Sequence, residues 1–523
     1  MPQDIILDSD YWKNFSLYDT DIDELFSYLL EKEIPLSTDE LAKFIASLHI
    51  EKQTSLIEEQ KKKQGNIYLP KNEYQIGDLL VFPVFNNDNG KVINIQDGIN
   101  PDFEDLKVIE VDLNSGGKKH FASNIANHSL NNLSEKNERD KNLDQGYVVQ
   151  TYGEIINHTL EDALASNDDL VKIAGNWFPR SLLVDISIGH LNLAEAVLEE
   201  MGGGPLGTKD LMKQVDLVAD ADERLLNFSF DLALQEDKRF DEVGPTGETL
   251  WYLHNKEPEK VKEIPRFLTF QAEEYASEDV TKFLDMFEGN VYDELEDWDS
   301  STSSFNKITI SLIFPHWRSG TLPLSSTMKN IFPTAYEAPR IKFDFVDMAN
   351  SERFPGWVVR PNKYIYGLEE WYEKNGLMPG SLVSVEKSKN PGEINISFKK
   401  SRQNKEWLRT VLVGSDNGIV FAMLKHAIKA SFNERMAISI PDVQAIDELW
   451  EKGIYKNEDF DKIVLKIIRE LSKLSPQGQV HAQELYSVMN LIYRCPPSHI
   501  LSSLLNNDHV SHLGDLYFRL NEG

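Results

Sequence analysis

HLNLAEAVLEEMGGGPLGTKDLMKQVDLVADADERLLNFSFDLALQEDKRFDEVGPTGETLWYL, residues 190–253, carries the plainest fold signal in the chain. Leu191 to Met201 repeats apolar residues at helical spacing, and Gly202, Gly203, Gly204 and Pro205 break the repeat. Thr208 is placed to cap a second helix that runs to Val215. A third amphipathic run, Ala221 to Gln235, has Leu225, Leu226, Phe228, Phe230, Leu232 and Leu234 as its apolar positions. Arg239 to Val243 and Glu248 to Leu253 then flank the turn Gly244-Pro245-Thr246-Gly247, as a hairpin does. Three helices and a wing-like hairpin predict a winged helix, a module of nucleic-acid and transcription machinery more often than of enzyme cores.

Upstream, Ile22 to Glu31 reads as a short amphipathic helix, and Pro35-Leu36-Ser37-Thr38-Asp39-Glu40 as a second helix start capped by Ser37 or Thr38. This resembles the first two helices of another helix-turn-helix. Its continuation ends in Lys61-Lys62-Lys63, a solvated helix end or a DNA contact. From Tyr74 the period changes to two: Asp78 to Val84, Gly90 to Ile95, Lys107 to Leu113 and Lys118 to Ala122 alternate with Gly- and Asn-rich turns, as in a small closed barrel. Asn131 to Gln145 is polar enough for a linker, and Tyr147 to Ile186 leads into the winged helix. Phe305 to Val413 is dominated by strand signals. Phe460 to Leu520 repeats the helix, helix, helix, hairpin order, with a stop at Pro496-Pro497 and a turn at Leu513-Gly514-Asp515. The expected fold class is α+β and multi-domain, with two or three winged helix-turn-helix units and two small β-barrel-like modules. The expected division is 1–70 (helical), 72–130 (barrel), 147–257 (winged helix with lead-in), 258–304 (acidic linker), 305–413 (β domain) and 416–523 (C-terminal winged helix).

A chain of 523 residues exceeds one hydrophobic core, and 41% hydrophobic residues suffice for several. The single cysteine, Cys495, excludes an internal disulfide. The first residues lack a basic, then apolar, signal pattern, and no apolar run is long enough to span a bilayer, so a cytoplasmic protein without a membrane partner is expected. The net charge of −31 opposes simple phosphate binding. Charge is nevertheless sorted along the chain: Arg353 to Thr410 holds 11 Lys+Arg against 6 Asp+Glu, a net of +5, while Gln271 to Ser300 holds 1 against 11, a net of −10.

Gly202-Gly203-Gly204-Pro205-Leu206, the helices around it, and Phe240-Asp241-Glu242-Val243-Gly244 before Trp251-Tyr252 resemble the HARE type of helix-turn-helix, the fold of the delta subunit of bacterial RNA polymerase. The resemblance covers about an eighth of the chain and implies association with RNA polymerase or another transcription protein. Direct groove reading is a separate matter, because a groove helix needs basic or amide side chains. The third helix carries Asp222, Glu223, Asp231, Glu236 and Asp237 against Arg224 and Lys238, which marks this unit as protein-facing or structural. In the C-terminal unit the corresponding helix offers Ser498, His499 and Ser502, with Arg494 and Arg519 placed to reach phosphates, the alternative being a dimer or partner contact.

Trp357, Arg360, Tyr364, Gly367-Leu368, Trp371-Tyr372, Asn375, Leu377 and Pro379-Gly380, before the strand Leu382 to Val385, resemble the DNA-binding pseudobarrel of plant transcription factors and some restriction-enzyme domains. Leu368 between Gly367 and the aromatic, and Ser381 in place of the family's Asp, depart from that pattern. The resemblance implies phosphate contacts by Arg353, Arg360, Lys363, Lys399, Lys400, Arg402, Lys405 and Arg409. The alternative is that Lys399 to Arg409 is a solvated loop.

Enzymatic signatures are incomplete. Gly202 and Gly207 have phosphate-loop spacing, but Thr208-Lys209 reverses the required order. Pro101-Asp102 with Glu110-Val111-Asp112 is similar to a metal-dependent nuclease pattern, except that Asp112 stands where a lysine belongs. His481, Cys495, His499, His509 and His512 lack zinc-site spacing. The expectation is therefore a non-enzymatic, DNA-binding or transcription-associated protein with no catalytic, cofactor or metal site. A protein adaptor without nucleic-acid contact, or a metal-dependent nuclease, is the alternative.

Overall fold

Three times along the chain a helix leads into a two-residue strand, a second helix starts directly after it, and a third helix ends in a hairpin whose last strand pairs with that short strand. The computed structural model describes residues 9–85, 88–99, 106–132, 141–217, 221–270, 278–287, 291–296, 305–401 and 405–521. It is an α+β, multi-domain chain of two compact units, Met1–Leu183 with Ala221–Leu225, and Val184–Asp220 with Leu226–Gly523. Among the described residues no helix is long and apolar enough to cross a membrane.

The first unit contains α1 (Asp19–Lys32), the short strand Leu36–Ser37 and α2 (Thr38–Gln64). Ser37 caps α2: its hydroxyl accepts from the Glu40 N–H at 3.2 Å, and Glu40 accepts from the Ser37 N–H at 2.8 Å. Four strands follow, β1 (Leu79–Phe82), β2 (Asp88–Asp97), β3 (Lys107–Leu113) and β4 (Lys118–Ser123), paired antiparallel in chain order. With Asn66–Ile67 they make a five-stranded sheet whose outer strands are not paired with each other among the described residues, where a closed barrel was expected. Next comes α3 (Gln145–Ala165), and β5 (Leu170–Ile173) and β6 (Asn176–Pro179) close the first repeat by pairing Trp177 with Leu36. Val148, Tyr152, Ile156 and Leu160 of α3 share a core with Leu25, Leu29, Leu41 and Ile45. Residues 147–183, expected to lead into the second repeat, therefore complete the first one, with the four-stranded insertion lying between its second and third helices.

In the second unit, α4 (Ile188–Glu200), Leu206–Gly207, α5 (Thr208–Gln214), α6 (Glu223–Glu236, its residues from Leu226 belonging here), β7 (Phe240–Glu242) and β8 (Leu250–Leu253) form the central repeat. Trp251 pairs with Leu206 as Trp177 pairs with Leu36. Thr208 does not cap α5; Gly207 holds the cap position, and the Thr208 hydroxyl turns inward to Asp231.

A seven-stranded sheet follows, built from β9 (Lys307–Ser311), β10 (Thr321–Pro323, after α7, Phe314–Ser319), β11 (Arg340–Asp347), β12 (Arg353–Val359), β13 (Tyr364–Tyr366), β14 (Leu382–Lys387) and β15 (Glu393–Phe398). Its order is β9-β14-β15-β11-β12-β13-β10, with β11 and β15 parallel and every other neighbour antiparallel. Alternate residues of β11, Ile341, Phe343 and Phe345, point into its core. The next strand, β16 (Lys405–Val413), belongs not to this sheet but to a separate one, as a hairpin with β17 (Ile419–Ala427).

After α8 (Val443–Glu451), the third repeat comprises α9 (Phe460–Ser472), Val480–His481, α10 (Ala482–Met489), α11 (Pro497–Leu505), β18 (Val510–Gly514) and β19 (Tyr517–Leu520). Phe518 pairs with Val480, the position held by tryptophan in the other two repeats.

Candidate nucleic-acid interface

A helix can read a groove only through an exposed face, so the third helix of each repeat is the first place to look. In α6, Leu226, Phe228, Ser229, Phe230, Asp231, Leu232 and Leu234 are all buried, leaving no open face along that stretch. In α11, Pro497, His499, Ile500, Leu501, Ser503 and Leu504 are buried. His499 lies 3.7 Å, ring to ring, from Phe460, burial pushes its pKa down to about 4, and the backbone N–H of Ser498 is taken by Glu296 at 2.8 Å. The exposed face of α3 carries Glu154, Glu161 and Asp162. None of the three suits a phosphate backbone.

Arg494, expected to reach phosphate, is instead the centre of a buried ionic cluster. Its Nη1 and Nη2 donate to the two Asp293 oxygens at 2.9 and 2.6 Å, and Nη2 lies 2.9 Å from Glu294. His316 on α7 holds the other Glu294 oxygen at 2.9 Å, and the Tyr486 hydroxyl donates to Asp293 at 2.5 Å. Burial alone would raise the Glu294 carboxyl, but Arg494 and His316 hold it well below the usual carboxylate range. Burial lifts Glu296 to about 7. The acidic stretch, expected as a solvated linker over 258–304, is in its described 291–296 part a buried strap across the third repeat; residues 271–277, 288–290 and 297–304 lie outside the described residues. A desolvated guanidinium must be paired, and carboxylates from outside the repeat pair it.

The other expected contacts divide by exposure. Arg409 is withdrawn: Nη2 pairs with Glu484 at 3.0 Å and Nη1 donates to the Arg435 carbonyl at 3.0 Å. Arg353 pairs with Glu393 at 2.6 Å, and Arg360 donates to the carbonyls of Ala338 and Tyr336 at 2.8 and 3.4 Å. Lys363 sits at a backbone φ of 53°, in the turn before β13. Ser502 is half-buried and Arg519 is exposed on β19. Arg402 lies outside the described residues.

Lys399, Lys400 and Lys405 are exposed, and the structure brings two further lysines to them. The Ser431 N–H donates to the Lys399 carbonyl at 2.8 Å, Lys400 bridges Ala430, and the Ser401 N–H donates to the Lys429 carbonyl at 2.9 Å, so residues 399–401 run antiparallel to 429–431. The ladder resumes in the hairpin, where Lys405 faces Ala427 and Trp407 faces Lys425. Lys425 and Lys429 are exposed, Lys425 Nζ lies 5.0 Å from the Trp407 ring centroid, and Trp407 is 60% exposed. Glu406 is the one acid in the two strands. Five exposed lysines thus lie along two adjoining strands that also carry an exposed indole, the donor set for phosphates and a stackable ring. Lys425, Lys429 and Trp407 were missed because only the strand pairing joins them to Lys399–Lys405; the alternation of β17 around Gly414-Ser415-Asp416-Asn417 was the available signal.

One further cluster has metal-ligand chemistry. Among the described residues, Asp241, His254 and Glu257 place ligand atoms within 4.8 Å of one another. His254 Nδ1 lies 2.6 Å from Asp241, and Arg340 donates to Glu257 at 2.9 Å and lies 3.7 Å from Asp241. Burial, with the Asp241 charge added, lifts Glu257 to about 7. Arg340 already supplies the positive charge here. Of the nuclease-like carboxylates, Pro101-Asp102 lie outside the described residues, while Glu110 and Asp112 face His120 and Lys118 across β3 and β4.

The fold and this strip define no more than an α+β multi-domain chain with a basic, aromatic-bearing hairpin. No family model, curated protein or solved structure matches it.

Proposed function

We propose that the chain is a non-enzymatic, DNA-binding or transcription-associated protein. The basic strip of Lys399, Lys400, Lys405, Lys425 and Lys429 contacts nucleic acid, and the acidic central repeat contacts RNA polymerase or another transcription protein. In this reading the three repeats are winged helices, the central one of the HARE type, the β region 305–413 corresponds to a pseudobarrel, and the protein works in the cytoplasm. The observation that carries it is the pairing of Lys399, Lys400 and Lys405 with the Lys425–Lys429 stretch on adjoining strands, with Lys425 beside exposed Trp407, in a chain whose net charge is −31. Random placement of charge in so acidic a chain would interleave carboxylates, and the two strands of this hairpin carry one, Glu406.

Binding of the full-length chain to duplex and single-stranded oligonucleotides across a salt series tests this. Neutralising about five phosphates gives a log–log salt slope of roughly −4. Lys399→Glu, Lys400→Glu and Lys405→Glu together are expected to abolish binding without changing the melting temperature. Absence of any salt-dependent binding at low salt sinks the nucleic-acid half.

A second reading has its own observation. Leu412 and Val420 face one another on the hairpin and both are exposed, as is Leu424 on the same side, an apolar strip that suits protein docking. An adaptor would keep its function with the lysines reversed and lose it with Leu412→Glu.

A further inference from the structure

A cavity of about 210 Å³ opens in the second unit where α8 and its following loop meet residues 266–270 and the segment 492–494 that follows α10. Four of its walls are aromatic: Phe270, Trp450, Tyr455 and Tyr493. Trp450 and Tyr455 are fixed by their polar ends, the indole N–H donating to the Leu491 carbonyl at 2.7 Å and the phenol to the Asn417 carbonyl at 3.1 Å. Their rings are therefore positioned as walls. Three more lining residues are cations, Arg266, Lys456 and Arg494, and among the described residues that line the cavity no carboxylate appears. In a chain with 85 acids against 54 bases, such a lining departs sharply from the average.

The cations differ in what they can still offer. Arg266 lies at the rim with Nη1 on Glu451 at 2.7 Å and its guanidinium 4.6 Å from the Phe267 ring. Lys456 is exposed. Arg494 is 2% exposed, its Nη atoms are spent on Asp293 and Glu294, and its buried Nε–H has no acceptor among the described residues.

We propose that this cavity binds a small planar aromatic anion, its ring held among the four aromatic side chains and its anionic group facing Lys456 and Arg266. Size narrows the class. A cavity of roughly 150 Å³ holds benzene, and drug-sized ligands need about 300 Å³ or more, so this one fits a single ring or a fused pair with one small charged group. A nucleotide is too large. The site is independent of the lysine strip on the hairpin.

The test uses the full chain and ligand-observed NMR with three probes: indole-3-carboxylate, neutral indole, and acetate. Indole-3-carboxylate is expected to bind, indole about tenfold more weakly, and acetate not detectably. Thr269→Trp, at an exposed lining position, fills the mouth and is expected to abolish binding; Lys456→Glu, also exposed, is expected to weaken it by about tenfold. A melting curve checks that each variant is folded, and Lys456→Glu decides alone if Thr269→Trp is not. No binding of indole-3-carboxylate, equal binding of indole, or indifference to both variants overturns the proposal.

Discussion

The central and C-terminal repeats share a strand register but are locked in different ways. In the central one, the Trp251 indole N–H donates to Asp231 at 2.9 Å and lies 3.2 Å from the Thr208 hydroxyl, which itself donates to Asp231 at 2.5 Å. Trp251 comes from the hairpin, Thr208 from the start of the second helix, and Asp231 from the third, so one buried triad ties all three parts. The N-terminal repeat has an open form of it, in which the Trp177 indole N–H donates to the Thr38 hydroxyl at 3.1 Å and that hydroxyl donates to Glu161 at 3.3 Å. The C-terminal repeat has Phe518 and Ala482 at those positions and no such triad; its polar lock is Arg494, held by Asp293 and Glu294 from outside the repeat. One backbone arrangement thus tolerates an internal lock or an external one. The external lock makes the last repeat depend on residues 291–296.

Breaking the external lock is expected to have the largest effect. Arg494→Met leaves Asp293 and Glu294 buried without their cation, and is expected to cost about 3–5 kcal/mol. Hydrogen exchange in α9 and α11 reads it, and a loss under about 1 kcal/mol would show that apolar packing alone holds the repeat.

The internal lock carries a pH signature. Burial lifts Asp231 to about 7 from 3.8 in spite of hydrogen bonds from Thr208 and Trp251 that oppose the rise. Between these values the folded state keeps a proton that the unfolded state has lost. Stability of the central repeat is therefore highest below pH 4 with respect to this group, and falls as pH rises toward 7, by up to about 4 kcal/mol. Asp231→Asn is expected to flatten that slope in urea titrations from pH 4 to 8. An unchanged slope would mean Asp231 is ionised throughout.

Changes at the two tryptophans sharpen the comparison at smaller scale. Trp251→Phe removes the indole donor and is expected to cost about 1–3 kcal/mol, since Asp231 and Thr208 stay buried. Trp177→Phe is expected to cost under about 1 kcal/mol, because Glu161 is half-exposed and also pairs with Lys172 at 2.9 Å. Equal losses at the two tryptophans would mean that ring packing outweighs the hydrogen bonds.

The central repeat was legible because its breaks are strong: three glycines and a proline, then a turn containing Gly244-Pro245. Its relation to the N-terminal repeat was written in Pro35-Leu36-Ser37-Thr38 and Pro205-Leu206-Gly207-Thr208, yet the third helix of the first lies some 80 residues beyond its second, a separation that local periodicity does not bridge. Charge counts located the basic region but not its surface. Arg409 and Arg494 read as phosphate contacts by residue type, and only the fold reveals the Glu484, Asp293 and Glu294 that claim them. Trp407 was unremarkable in the sequence, where an indole in a strand reads as core.

The four-stranded insertion sets the order of events during synthesis. Helix α2 ends at Gln64, and its partner α3 does not begin until Gln145. At about 5–20 residues per second, roughly 4–16 s of translation separate the two, during which Leu41 and Ile45 await Val148, Tyr152 and Ile156. The inserted strands pair only with near neighbours in sequence and can close in that interval. The inserted strands are thus ready to fold before the repeat that encloses them, and the early helices of that repeat are the segment that a nascent-chain chaperone would meet unprotected.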